Sequence, residues 1–281
     1  MTTTPTVPVH PPGYSVVVLT LNEERDLPAC LGSLQGCNDV VVLDSGSTDG
    51  TAALARAAGA RVFVRAFDNF AGQRNHAQRE IPVRHPWVFH LDADELMTPE
   101  LDAECRAASN RTDVDGFYVA PRMLWAGHWI RRSTDFPAWQ ARFVRAPKFE
   151  FIEVGHGQRE APGMRLDRLQ ANYLHDLSSG GEAEWLDRHR RYARAEARHL
   201  VASGPVRDWH RIFSRDPLLR RRALKRISYV LPGRPLLRFL YQYLLRGGFL
   251  DGPAGLHYCR LLAQYERFTS AELKQLRAQS R

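Results

Sequence analysis

The feature that most constrains this chain is an alternation over its first hundred residues, in which short apolar runs are followed by Gly-, Ser- or Asp-containing turns and then by amphipathic segments. Tyr14–Leu19 reads YSVVVL, Val40–Leu43 reads VVVL and Trp87–Leu91 reads WVFHL. Runs this short and this continuously apolar suit strands buried on both faces of a parallel sheet. A fourth strand is expected at Arg61–Val64. Helical stretches are expected over residues 22–34, Ala52–Ala58, Gly72–Glu80 and Pro99–Ala108. Parallel strands need crossovers of about this length, so the pattern predicts an open, mostly parallel α/β sheet with helices on both faces.

Past residue 110 the alternation weakens. GFYVA at Gly116–Ala120 reads as a strand, and an aromatic-rich stretch of mixed strands and loops follows to about Glu160. From Glu182 the sequence turns helical and basic, and from Asp216 arginine clusters alternate with apolar and aromatic residues. The expected organisation is a flexible Pro-rich leader over 1–13, an α/β domain over 14–180 whose halves divide near 110, and a basic helical extension over 181–281.

Charge supports that division. Residues 1–184 hold 18 Lys+Arg against 24 Asp+Glu, a balance of −6, whereas residues 185–281 hold 21 against 7, a balance of +14. An asymmetry of this size predicts that the C-terminal part meets something anionic, either nucleic acid or a phospholipid surface. The four cysteines have no CxxC or zinc-ligand spacing, which argues against a disulfide or structural-metal scaffold. The first residues lack a signal-peptide pattern, and no stretch reaches the ~18 apolar residues of a spanning helix. Cytosolic synthesis and peripheral attachment at the inner face of the membrane are therefore expected.

In open α/β sheets ligands bind outside the carboxyl ends of the strands. Three such ends are polar here: Thr20-Leu21-Asn22-Glu23-Glu24, Asp44-Ser45-Gly46-Ser47-Thr48-Asp49-Gly50, and Asp92-Ala93-Asp94. The Asp92/Asp94 pair suits a hard divalent ion, magnesium or manganese, whose remaining positions diphosphate oxygens would complete. Such a DxD also arises in solvated turns, and Asp49 reads equally as a helix cap. Asp44 is less easily dismissed, because a carboxylate ending a buried strand is costly unless it finds donors, and the imide N–H of uracil would serve. Arg74, near the start of the third helix, is placed to approach a diphosphate.

Through VVVLTLNEE, VVVLDSGSTDGT, GQRNHA and FHLDADE, in that order, the chain resembles the family 2 glycosyltransferases. The resemblance covers about residues 14–110 closely. It implies a GT-A fold, a nucleotide-diphosphate sugar as donor, a divalent cation, and transfer with inversion at the anomeric carbon. On the matching positions, Thr20, Asn22, Glu24 and Asp44 would hold the nucleoside, while Asp92 and Asp94 would take the ribose-diphosphate and the metal. The donor half is then 14–110 and the acceptor half 111–180. WQARFVR, HRRYARAEA and RFLYQYLLRGGFLDGPAGLHY are similar to a narrower branch, the bacterial lipopolysaccharide-core glucosyltransferases. That branch implies a glycan or lipid-linked acceptor.

An inverting transfer needs a base opposite the departing nucleoside diphosphate. Many relatives carry a His-Glu pair at this point, whereas this chain has Glu153-Val154-Gly155-His156-Gly157, with Gly in place of that Glu. His156, Glu153, Asp135 and Glu160 are the candidates. Trp139, Gln140 and Arg142 are candidates for acceptor contact, since a sugar offers an apolar face to an aromatic ring and hydroxyls to polar groups. The tail, Pro235–Phe268, reads as two short helices broken at Gly247-Gly248 and Gly252-Pro253, with aromatic and basic residues at spacings that suit the surface of an anionic membrane. Two other classes compete: a nucleic-acid-binding α/β protein and a nucleotidyltransferase. The acidic strand ends argue against the first, and no nucleic-acid partner is expected.

Overall fold

The computed structural model describes residues 13–154, 157–202, 212–215, 220, 223–224, 227–228 and 233–279. They form two compact units. One runs to Arg122 and resumes over Phe136–Asp176; the other comprises Met123–Asp135 and the chain from Leu177 onward. The second unit thus takes in an excursion from the middle of the chain.

The first unit opens with β1 (Ser15–Thr20), α1 (Leu27–Gly32), β2 (Val40–Asp44), α2 (Thr51–Ala57), β3 (Arg61–Val64), α3 (Phe70–Arg79) and β4 (Trp87–Asp92). It continues with β5 (Glu95–Leu96), α4 (Pro99–Ala108), β6 (Gly116–Trp125) and, after β7 (His128–Trp129) in the excursion, β8 (Gln140–Arg145), β9 (Phe151–Val154), β10 (Gly157–Glu160) and β11 (Leu166–Asp176). The main sheet has the order β3-β2-β1-β4-β8-β6-β11-β5. The first four strands are parallel. Antiparallel pairings of β4 with β8, β8 with β6, and β11 with β5 extend the sheet.

Strand alternation explains why both faces are covered. Val16 and Val18 of β1 pack with Leu27 and Cys30 of α1, Ala55 of α2, and Leu101 and Cys105 of α4. Val17 points the other way, with Val41, Leu43 and Val88, against Ala77 of α3. Each of these valines is fully buried, and each such burial contributes about 1.5–3 kcal/mol. Where β4 meets β8, Trp87 stacks on Phe143 at 4.8 Å.

Element boundaries follow from local chemistry. Helix α3 begins at Phe70 rather than at Gly72 because the Asn69 side chain accepts from the Gly72 N–H at 2.7 Å, which makes Asn69 the N-cap. Thr98 caps α4 in the same way, with Pro99 in the first turn. Strands β1, β2 and β4 each run one residue further than expected, since Thr20 pairs with Asp44 and Leu19 with Asp92. That register sets three polar strand ends side by side on one sheet edge.

The second unit contains α5 (Gly181–Ala202), α6 (Arg234–Leu240) and α7 (Gly252–Gln279), with α5 lying along α7. Between α6 and α7 the chain tightens into a π turn, Tyr241–Leu245, and a 3-10 turn, Gly248–Asp251. In place of two short helices there is one short helix and one of 28 residues, with the break held by Gly247 and Gly252, both at positive φ. Trp125, Ile130, Trp185 and Leu261 form its core. Arg234 and Glu266 make a buried ion pair, Nη2 to Oε1 at 3.1 Å. Among the described residues no helix is long and apolar enough to cross a membrane.

Candidate active site

At the β1–β2 edge a carboxylate is satisfied by its own turn. Asp44 is 2% exposed; Oδ1 accepts from the Thr20 hydroxyl at 2.9 Å and from the Ser47 hydroxyl, and Oδ2 from the N–H groups of Gly46 and Ser47 at 3.1 and 2.8 Å. Burial works to raise its pKa, but the hydrogen bonds from Ser47, Thr20 and Gly46 outweigh it and hold the carboxyl below its ordinary value. The protein thus supplies donors to both oxygens of Asp44, the carboxylate for which the sequence offered a uracil N–H as one partner.

The loops after β1 and β2 are stitched together. Asn22, at φ 58°, accepts from Thr48 N–H at 2.8 Å, and its own N–H donates to the Ser47 hydroxyl. Glu24 accepts from Gly50 N–H at 2.7 Å, and Asp49 from Thr51 N–H at 3.0 Å at the start of α2. Asn22 and Glu24 remain on the exposed rim. Buried Gln73 of α3 ties this edge to the β3 exit, donating to the Arg65 carbonyl at 3.1 Å.

The β4 edge is held by charge. Arg74 of α3 donates to Asp92 Oδ1 at 2.8 Å, and Arg142 of β8 donates to Asp92 Oδ2 at 3.0 Å and to Glu95 Oε1 at 2.8 Å. Glu95 also accepts from the Asp92 N–H at 2.8 Å. Both guanidiniums are nearly inaccessible, at 3% and 4% of side-chain exposure. Burial works to raise the Asp92 pKa, yet Arg142 and Arg74 hold it well below the usual carboxylate range. Glu95 is pushed by burial up to about 7, against the pull of Arg142. Buried His90 is held well below its ordinary value by burial and by Arg74 and Arg142, so it is neutral.

Asp94 faces a different partner. Its Oδ2 lies 3.1 Å from His175 Nε2 at the end of β11, and both side chains are partly exposed. Burial alone would lower the His175 pKa; the hydrogen bond to Asp94 and the charges of Asp94, Glu95 and Asp92 raise it. One carboxylate and one imidazole fit a divalent cation such as manganese, with other ligands supplied by oxygens of a bound diphosphate. Among the described residues no third protein group joins them. Asp92, expected as a second metal ligand, has one oxygen hydrogen-bonded to each guanidinium.

Beside this cluster a cavity of 540 Å³ is lined by Arg74, Asp92, Tyr118, Trp139, Gln140 and Glu160, among others. Arg142 lines it as well and donates to Asp92, Glu95, the His90 carbonyl and Gln140. Trp139 has the Arg168 guanidinium over its ring at 5.0 Å. Glu160 accepts from the Tyr118 hydroxyl at 2.6 Å; burial and that bond push Tyr118 up to about 12. Of the other base candidates, Glu153 is exposed on the β9–β10 ribbon, Asp135 belongs to the second unit beside Arg246 at 3.8 Å, and His156 lies outside the described residues.

Sequence reasoning missed Glu95, His175, Gln73 and Tyr118. Glu95 directly follows the DAD triplet, and His175 ends an alternating strand run, LQANYLHD, where polar strand-end residues merit the scrutiny given to the first three strands.

Residues 15–150 match the model of glycosyl transferase family 2. Over 122 residues the chain is 38% identical to the lipopolysaccharide core biosynthesis glycosyltransferase LpsC of Rhizobium meliloti, a stretch covering 41% of this chain and 44% of that protein. An uncharacterized glycosyltransferase of Rickettsia typhi is 35% identical over 91 residues, covering 32% of this chain and 30% of its own. Each match therefore spans less than half of the curated relative. Among solved structures, the mannosyltransferase PcManGT of Pyrobaculum calidifontis, in complex with GDP-Man and Mn2+, aligns over 95% of this chain and 88% of its own, at 18% identity and a TM-score of 0.50. Sheet order, strand-end chemistry and family match agree: residues 15–150 are a family 2 glycosyltransferase domain, and the chain has a GT-A fold.

Proposed function

We propose that the chain transfers a sugar with inversion from a nucleotide-diphosphate donor, a UDP-sugar, to a lipopolysaccharide-core or other lipid-linked glycan. The observation that carries this reading is the partly exposed Asp94–His175 pair set beside the Arg74–Asp92–Arg142 cluster at a cavity with a Trp and a Glu on its wall. Thr20, Asn22 and Glu24 and the Asp44 turn form the nucleoside edge. A divalent cation held by Asp94 and His175 would neutralise the leaving diphosphate. Arg74 and Arg142 fix Asp92 so that its carboxylate is presented without reorganisation when charge develops. Trp139 and Gln140 receive the acceptor sugar, and Glu160, hydrogen-bonded to Tyr118, takes the proton from its hydroxyl. The likeness to LpsC supports the acceptor class, and the GDP-Man and Mn2+ of the Pyrobaculum structure make GDP the donor nucleotide to compare with UDP.

Calorimetric titration with UDP and GDP, and with their sugars, in manganese and then in EDTA tests this. Expected is metal-dependent binding of one nucleoside diphosphate, with sugar transfer lost in Asp94→Ala. Full activity of that variant in EDTA sinks the reading.

A further inference from the structure

A second surface lies outside the sugar-transfer chemistry. Between residues 236 and 250 the second unit exposes a dense set of large apolar side chains: Leu236 at 62%, Leu240 at 38%, Leu244 at 54%, Leu245 at 81%, Phe249 at 49% and Leu250 at 64%. Leu236, Leu240 and Leu244 recur at the spacing that places side chains on one helix face. Single exposed leucines need no explanation, but a contiguous apolar ridge on a soluble surface marks a docking site.

The backbone under the ridge is firmly built. Gln242 is 1% exposed and donates to the Arg132 carbonyl at 3.1 Å. Asp251, the acidic residue that directly follows the stretch, is engaged by the N–H groups of Arg132 and Ser133 at 2.8 and 2.7 Å. A Cβ at Gly248 would lie 2.8 Å from the Gln242 carbonyl, and one at Gly255 would clash with the Gly248 carbonyl. The apolar side chains therefore face outward from a pinned scaffold. Half-buried Phe239 stacks on Tyr243 at 5.2 Å.

Charge selects the occupant. The ridge runs into a 650 Å³ cleft whose walls include Leu236, Phe239 and Phe268 together with Arg190, Arg260 and Arg267. Arg260 and Arg267 are exposed, and Arg190 lies over the Phe268 ring at 5.0 Å while pairing with Asp187. Among the described residues, the one carboxylate lining the cleft, Glu182, pairs with His257 at 3.1 Å. Apolar side chains next to guanidiniums match a surface with acyl chains beneath phosphates. We propose that the Leu236–Leu250 ridge and its arginine-lined cleft seat the second unit on an anionic phospholipid bilayer, lying at the interface rather than crossing it.

Flotation of the full chain with vesicles of phosphatidylcholine, alone or mixed with phosphatidylglycerol, tests this. The chain should float with the mixed vesicles, release in high salt, and bind the neutral vesicles far less. The double variant Leu244→Glu/Leu245→Glu alters only exposed side chains and should weaken partitioning by about tenfold or more, with Arg260→Glu losing the preference for phosphatidylglycerol. Unchanged melting and nucleoside-diphosphate binding in both variants show that the fold and the donor site are intact, so this outcome is independent of the proposed sugar transfer. The proposal is overturned if the parent chain floats with neither vesicle or if the double variant floats as well as the parent. A dimer in light scattering that Leu245→Glu dissociates, without vesicle binding, would overturn it in favour of a second copy on the ridge.

Discussion

Asp44 and Asp92 end neighbouring parallel strands, β2 and β4, one on each side of β1, yet they are stabilised by opposite means. Asp44 collects hydroxyls and N–H groups, three of its four donors coming from the turn that follows it. Asp92 collects two guanidiniums, brought from α3 and from β8, which lies 50 residues further along the chain. A turn-satisfied carboxylate is a local device and costs little to keep. A buried pair of cations is a tertiary one, and its stability depends on every partner being present. The first shapes the loops at the β1–β2 edge; the second fixes a charge at the β4 edge.

The largest effects are expected at the charged edge. Asp94→Ala removes the partly exposed carboxylate opposite His175 without removing any member of the Arg74–Asp92–Arg142 cluster, so sugar transfer should fall by about a hundredfold to a thousandfold. Thermal melting should hardly change, and a large drop in melting temperature would mean that Asp94 is structural. Arg142→Met breaks the contrast from the other side. It leaves Asp92 and Glu95 with one guanidinium between them in a buried setting, and should destabilise the fold by about 3 kcal/mol or more in urea unfolding. A near-neutral result would show that water or Arg74 takes over.

The same contrast explains what the sequence could disclose. Strands β1 to β4 and helix α4 were legible to within a residue or two, because strands buried on both faces write continuous apolar runs and Thr98-Pro99 writes a helix start. The Asp44 turn was legible too, since its donors lie within three residues or on the adjoining strand. Arg142, Glu95 and His175 were not legible as a cluster, because they meet only through the antiparallel pairings of β4 with β8 and of β5 with β11. Arg142 in WQARFVR looks like any alternating strand position until that register is known. For the same reason the Met123–Asp135 excursion reads as a loop of the first domain, although its Ile130 and Trp125 are core residues of the second unit.

Two smaller effects sharpen the comparison through pH. His175, raised by Asp94, should compete protons against manganese, so metal-dependent nucleotide binding should strengthen by up to about tenfold per pH unit until the imidazole is neutral. His175→Gln should flatten that profile. At the Asp44 turn the pKa shift has the opposite sign, while the effect again grows with pH. A carboxyl lowered by folding contributes stability that is complete above its unfolded pKa of about 3.9 and drains away as pH falls through the folded value. Asp44→Asn keeps one oxygen for the N–H groups of Gly46 and Ser47, and the Thr20 and Ser47 hydroxyls can rotate to accept from the new amide. The cost near neutrality should therefore be only about 1 kcal/mol. Urea unfolding of parent and variant as pH is lowered should show that gap closing below about pH 4. A gap that persists into acid would mean that the lost stability comes from packing or geometry, and that the turn does not rest on the charge of Asp44.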